Sequence, residues 1–233
     1  MDTSKAKRKV IGILAGMGPR STAPFINAVI DECQAQYGAK DDIDFPEMMI
    51  LSLPTPFYID RPIDHDEMQR AIIAGLQKLE RAGVSLIAMP SNSAHIYFDA
   101  LRNAVRVPLL NMIDETLAHF PNGAKAALFA TRPTFDCGVY QAGIASHDGQ
   151  LVFEEAWQTQ VDRTIAAIKR GDLAHARDEW RRLMADIERD HIETVVCACT
   201  DLNVVADAQR SAIPFIDSGK ALAKAVVREY LNA

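Results

Sequence analysis

The sequence predicts an α/β protein of two pseudo-symmetric lobes, each a mostly parallel sheet flanked by helices, with an active site in the interlobe cleft. Two observations carry that prediction. First, short apolar runs rich in Val, Ile and Ala alternate with longer amphipathic stretches, as expected of parallel strands covered by helices on both faces. Second, the chain repeats itself. Val10–Pro19 resembles Lys125–Thr134, Val84–Ser93 resembles Glu193–Asp201, and Val107–Asp114 resembles Ile213–Asp217, with order and spacing kept. Two similar halves facing each other make a cleft at the C-terminal strand ends, where α/β sheets bind ligands. The repeat sets Ser91 opposite Cys199. Residues 1–115 form the N-terminal lobe, with the last helix, 219–233, packing back on it, and residues 116–218 form the C-terminal lobe.

Each element follows from its own pattern. Val10–Ala15 reads as a buried strand entering the tight Gly16-Met-Gly-Pro19 loop, and a helix follows over Ser21–Gln36. Glu47–Ser52 is the second strand, and Asp66–Ala82 an amphipathic helix closed by Gly83. Val84–Met89 is the third strand, a helix starts near Ser93, and Leu109–Ile113 is a short fourth strand. In the second half, strand Ala126–Phe129 leads to a helix over Thr134–Ala145 and strand Leu151–Glu154. A long helical stretch covers Thr159–Asp190, interrupted near Gly171. Strand Thr194–Ala198, a helix over Leu202–Gln209, strand Pro214–Ile216 and helix Gly219–Leu231 complete the order.

Composition narrows the function. A chain of 233 residues, 48% hydrophobic, can bury a sizeable core. Its net charge of −6, with one short basic cluster at Lys5–Lys9, argues against nucleic acid as a partner. No apolar stretch approaches the roughly 20 residues a bilayer span needs, so no membrane role is expected. The four cysteines lack zinc or Cys-x-x-Cys spacing, and no His/Asp/Glu cluster has metal-ligand spacing. No metal and no cofactor are expected, and a reducing cytoplasm fits the cysteines best.

The strand-to-helix loops carry the chemistry. At Pro90-Ser-Asn-Ser-Ala-His95 a strand gives way to a helix, leaving backbone N–H groups that can hold a carboxylate, with Asn92 and Ser93 adding donors. Cys197-Ala-Cys-Thr-Asp201 repeats the arrangement, and a Cys at a helix start has its thiolate favoured. Packing explains Cys33, Cys137 and Cys197; the repeat makes Cys199 functional. His95 suits a structural hydrogen bond at least as well as proton transfer. Gly16-Met17-Gly18-Pro19 lacks the third Gly of a dinucleotide loop and the Lys of a P-loop, so it reads as backbone brought close to a small ligand. Arg61, in a Pro-rich loop, reads either as a solvated ion pair with Asp60 or as a clamp on a carboxylate. Lys169 sits at a helix end, where the dipole alone accounts for a cation.

These motifs together resemble the aspartate/glutamate racemases over nearly the whole length. Ala15-Gly-Met-Gly-Pro19 is similar to that family's Gly-Gly-Met-Gly-Pro opening, Pro90-Ser-Asn-Ser-Ala-His95 to Pro-Cys-Asn-Thr-Ala-His, and Ala198-Cys-Thr-Asp201 to Gly-Cys-Thr-Glu. The resemblance implies a cofactor-independent isomerase and homodimer acting on an amino acid or dicarboxylate. It implies Cys199 and Ser91 as catalytic positions. Substrate contacts would come from Met17, Gly18, Arg61, Asn92, Ser93, Thr131, Thr134, Lys169 and Thr200, with Arg61 and Lys169 meeting a side-chain carboxylate. Three positions depart from the family: Ser91 replaces its first catalytic Cys, Asp201 replaces Glu, and Leu222 stands where many members carry His.

The first departure alters the chemistry. A free thiol has a pKa of about 8.5 and can be tuned toward neutrality. A serine hydroxyl cannot readily serve as a base without a partner, yet it can donate to a basic carbanion. The expectation is a one-sided racemase or epimerase of an acidic amino acid, aspartate or glutamate, with Cys199 the better base. Two alternatives stay open on the residues alone: a single-Cys decarboxylase of the arylmalonate type, and a non-catalytic dicarboxylate or amino-acid binding protein.

Overall fold

The computed structural model describes residues 9–57, 62–206 and 212–232. The apolar run Val10–Ala15 forms strand β1, buried at every position. It lies at the centre of a parallel sheet between β2 (Glu47–Ser52) and β3 (Leu86–Ala88). A strand covered on both faces needs apolar side chains on both, and this run supplies them. After a 3-10 turn at Pro19–Ser21, helix α1 (Thr22–Tyr37) ends at left-handed Gly38, whose N–H returns to the carbonyls of Cys33 and Gln34. Helix α2 (His65–Arg81) starts where the Asp64 carboxylate accepts from the N–H of Glu67. It buries one stripe, Met68, Ile72, Gly75, Leu76 and Leu79.

Past β3 the chain takes a 3-10 turn at Ser93–Tyr97 before helices α3 (Phe98–Asn103) and α4 (Met112–Leu117). The expected strand Leu109–Ile113 is replaced by a single parallel bridge between Ile87 and Leu109. The reason is local: Asn111 accepts the N–H of Ile113 on its side chain and caps α4, so the apolar run turns helical at Met112.

The second sheet is parallel, in the order β5 (Gln150–Val152), β4 (Lys125–Ala130), β6 (Thr194–Ala198), β7 (Phe215–Asp217). The helices that follow α4 are α5 (Arg132–Asp136), α6 (Val139–Ser146), α7 (Glu155–Arg170), α8 (Leu173–Arg189), α9 (Asn203–Ala206) and α10 (Ser218–Asn232), the last lying mostly in the first compact unit. Gly171 separates α7 from α8 in the left-handed region, as its place in the sequence implies. The single helix expected over Thr134–Ala145 is two, because Gly138 takes φ 74° between α5 and α6.

Strand alternation divides the core of this sheet. Ala127 and Phe129 of β4, with Val195 and Cys197 of β6, pack on one side against α7 and α8. Ala126, Leu128, Val196 and Ala198 pack on the other with Tyr140, Ile144 and Leu117. The chain is therefore two parallel-sheet α/β lobes flanked by helices. Its first compact unit comprises Met1–Pro90, Tyr97–Leu110 and Ala223–Ala233, and its second Ser91–Ile96 and Asn111–Leu222.

Candidate active site

In the second unit the register of the strands brings several loops to one end of the sheet. Ala130 lies opposite Ala198, and Cys197 opposite Asp217. Thr131, Cys199 and Ser218 therefore each leave a neighbouring strand at its C-terminal end. Cys199 is extended and opens a 3-10 turn, Thr200–Leu202, that continues into α9. Its side chain belongs to the same cluster as Cys197, against α7 and α8.

The electrostatics of Cys199 reverse the sequence expectation. Burial, the largest influence, and the carboxylate of Asp201 push the thiol up to about 12. Hydrogen bonds from the N–H groups of Asp201 and Leu202, and the charge of Lys169, pull the other way without prevailing. The amides at the turn do favour the thiolate, as the sequence suggests, but a residue only 6% exposed loses more by desolvation. Cys199 rests as a neutral thiol. Lys169, on the last turn of α7, places Nζ 3.9 Å from Oδ2 of Asp201.

The Ser91 loop is held by a second set of contacts. The imidazole of His95 donates from Nδ1 to the Ser91 carbonyl at 2.8 Å and accepts the N–H of Met112 on Nε2 at 3.0 Å. Those two partners fix a neutral imidazole protonated on Nδ1, in a structural role. Asn92 donates from Nδ2 to Oγ of Ser218 at 2.9 Å and accepts on Oδ1 from the Tyr140 hydroxyl at 2.6 Å. Ser218 directly follows Asp217, so Asn92 ties the loop to the strand ends that carry Cys199. Ser91 is 3% exposed, and its hydroxyl has no hydrogen-bond partner among the described residues. A buried hydroxyl in that state carries an uncompensated desolvation cost.

Ser91, Asn92, Ser93, Thr131, Thr134, Lys169, Cys199 and Thr200 all belong to the second unit, and Met17 and Gly18 to the first. Thr131 and Thr134 share a hydrogen bond between their hydroxyls at 3.0 Å. Ser93 opens the 3-10 turn after Asn92, and Thr200 is buried beside Cys199. Gly18 accepts from both the hydroxyl and the N–H of Ser21. Gly16, with φ 95°, tolerates no side chain, because a Cβ would stand 2.6 Å from the backbone N of Leu53. Arg61 lies outside the described residues. Among the described residues no group of three or more His, Cys, Asp or Glu could hold a metal, and no helix is long and apolar enough to cross a membrane.

Sequence reasoning missed Tyr140, Ser218, Asn203 and Asp217. Asp217 accepts from the N–H groups of Gly219 and Lys220 and from Nδ2 of Asn203, capping α10 as Asn111 caps α4. The third repeat pair, which aligns these two caps, was the signal that could have found it. Nothing local marks Tyr140 or Ser218.

Residues 14–226 match the family model of the Asp/Glu/hydantoin racemases. The chain belongs to that family and is an isomerase of the amino-acid racemase kind. It is 48% identical over 224 residues to the broad specificity amino-acid racemase RacX of Bacillus subtilis, covering 95% of this chain and 98% of that protein. Among solved structures it resembles the aspartate racemase of Picrophilus torridus, at 27% identity and a TM-score of 0.78 over 95% of this chain and 94% of that one. The fold is also that of an aspartate racemase homologue from Pyrococcus horikoshii, at 23% identity and a TM-score of 0.75, covering 96% of this chain and all of that one (100%).

Proposed function

We propose that the protein is a cofactor-independent racemase that moves the α-proton of an amino acid, with Cys199 and Ser91 on opposite faces of the reacting carbon. The observation that carries this reading is the matched placement of the two residues. Each lies in the loop after the strand that pairs in parallel with the first strand of its half of the repeat, each is buried, and the Ser91 hydroxyl has no partner among the described residues, as a group reserved for a ligand would be. Thiolate Cys199 takes the α-proton from one enantiomer and leaves a carbanion that the carboxylate stabilises. A proton delivered from the Ser91 side completes inversion. Inversion is slow in both directions, because either way it passes through a costly serine alkoxide, whereas return of a solvent-exchanged proton from Cys199 to the face it left is fast.

The substrate itself assists Cys199. Its α-ammonium group brings a positive charge to a thiol held neutral by burial, and an opposite charge favours the thiolate. Aspartate and glutamate are the substrates that Arg61 and Lys169 predict, and the Bacillus relative's broad specificity extends that range to other side chains. Asn92, Ser93, Thr131, Thr134, Thr200 and the Met17-Gly18 backbone supply the remaining contacts. A homodimer in a reducing cytoplasm completes the proposal, in keeping with four cysteines free of disulfides.

Incubation of each enantiomer in heavy water tests the scheme. One enantiomer should take up α-deuterium rapidly while inverting slowly. Ser91→Cys should raise inversion in both directions by about a hundredfold or more, the scale of a positioned acid–base group. Exchange with no amino acid at all overturns the proposal, and an unchanged Ser91→Cys rate removes Ser91 from the reacting face.

A further inference from the structure

Beside Cys199 stands a charge pair whose acidic half the racemase scheme does not use. Nζ of Lys169 lies 3.9 Å from Oδ2 of Asp201, with the lysine side chain 30% exposed and the aspartate side chain 8% exposed. Asp201 lies in the turn Thr200–Leu202 that Cys199 opens, and both charges act on the Cys199 thiol in opposite senses, so the pair sits beside the proposed base. We infer that Asp201 sets the side-chain specificity of the enzyme, by occupying Lys169 and thereby weakening selection for acidic substrates. This inference rests on the racemase reading above.

The effect is one of charge balance. A lone lysine near the substrate would attract a side-chain carboxylate and repel a side-chain ammonium. Paired with Asp201, it offers almost no net charge. An incoming carboxylate must compete with a resident one and also meets its repulsion. A neutral side chain meets neither penalty, and a basic one finds Asp201. Burial sharpens the effect on the aspartate side, because water cannot screen a carboxylate it barely reaches. Lys169 is anchored at the end of a sixteen-residue helix, and Asp201 by the turn that begins at Cys199. The neutralisation is therefore built into two fixed elements.

Substrates that differ in side-chain charge read this directly. We would measure kcat/KM for α-deuteration of glutamate, glutamine and lysine with the unaltered full chain, Asp201→Asn and Lys169→Gln. Asp201→Asn should raise the glutamate-to-glutamine ratio about tenfold or more and depress lysine, as one uncompensated charge at close range does. Lys169→Gln, at the more exposed partner, should move the same ratio the opposite way, and serves if Asp201→Asn folds poorly. Any effect of Asp201 on the thiol is common to all three substrates and cancels in the ratio. Rates that change alike for all three, or a ratio that stays put in both variants, overturn the role of Asp201 and leave the racemase intact. Absence of exchange with every amino acid in the unaltered chain overturns the racemase reading, and this inference with it.

Discussion

Tyr140→Phe tests whether the Ser91 loop is held from within. The hydroxyl is fully buried on α6, and burial, the largest influence, raises its ionisation far above the ordinary phenol range, so it stays protonated and able to donate. It gives its proton to Oδ1 of Asn92 at 2.6 Å, and Asn92 in turn holds Ser218. Phenylalanine keeps the ring packed beside Ile144 and Leu128 but leaves the Asn92 carbonyl buried without that donor. An orphaned buried acceptor costs about 1–3 kcal/mol. At about 2–4 °C per kcal/mol for a chain of this size, Tm should fall by about 4–8 °C for a loss near 2 kcal/mol. In kinetics, kcat should fall more than KM rises, since the loop positions Ser91 and does not merely bind. A double-mutant cycle with Asn92→Ala sharpens the test, and the two losses should fall short of additivity by about 1 kcal/mol. An unchanged Tm, or strict additivity, would refute the tether.

Three further outcomes follow from the same geometry. Cys199→Ala should abolish α-deuteration of the enantiomer that the unaltered chain exchanges fastest, with folding retained by circular dichroism. Where Cys199 acts as base, kcat/KM should keep rising, about tenfold per pH unit, through pH 9 and beyond. The thiol of the free enzyme lies at about 12, so the reactive thiolate is scarce at neutral pH and grows as pH climbs. A plateau below pH 9 would contradict that burial, and Asp201→Asn, which removes the second-largest upward influence, should slide the profile to lower pH. Gly16→Ala should destabilise the first unit by about 2 kcal/mol or more, because the residue has φ 95° and its Cβ would meet the backbone of Leu53 at 2.6 and 2.7 Å. A Tm within about 1 °C of the unaltered chain would show that the loop relaxes around the methyl group.

What the sequence made legible divides along physical lines. Central strands such as β1 and β6 are apolar on both faces, and that property is written residue by residue. The break at Gly171 is equally local, since a residue without Cβ enters the left-handed region cheaply. The run Leu109–Ile113 misleads because its composition suits a strand, while the deciding event is one side-chain hydrogen bond to Asn111. The shared loop position of Ser91 and Cys199 was visible through the repeat. Its supports were not, because the Tyr140–Asn92 and Asn92–Ser218 contacts join residues 48 and 126 positions apart. The sign of the Cys199 shift was hidden for a related reason. Turn amides can be read from a sequence, whereas the depth of burial that outweighs them belongs to the packed fold.

The two loops are nonetheless assembled on one plan, and this makes Ser91 more than an accident of composition. In the first, His95 reaches Met112, the residue after the α4 cap Asn111. In the second, Asn203 reaches Asp217, which caps α10. Each loop is thus pinned to the start of the helix that follows the next segment of its own half, by different chemistry in the same place. Architecture is duplicated and the side chain at the proposed reacting position is not. Because Oγ of Ser91 accepts and donates nothing among the described residues, Ser91→Cys sacrifices no internal hydrogen bond. Its stability cost should stay within the range of about 1–3 kcal/mol typical of a slightly larger buried atom. A variant that folds alike yet inverts both enantiomers faster would locate the asymmetry of the reaction in a single atom. One that unfolds would mean that the cavity at Ser91, and not its acidity, is what the loop preserves.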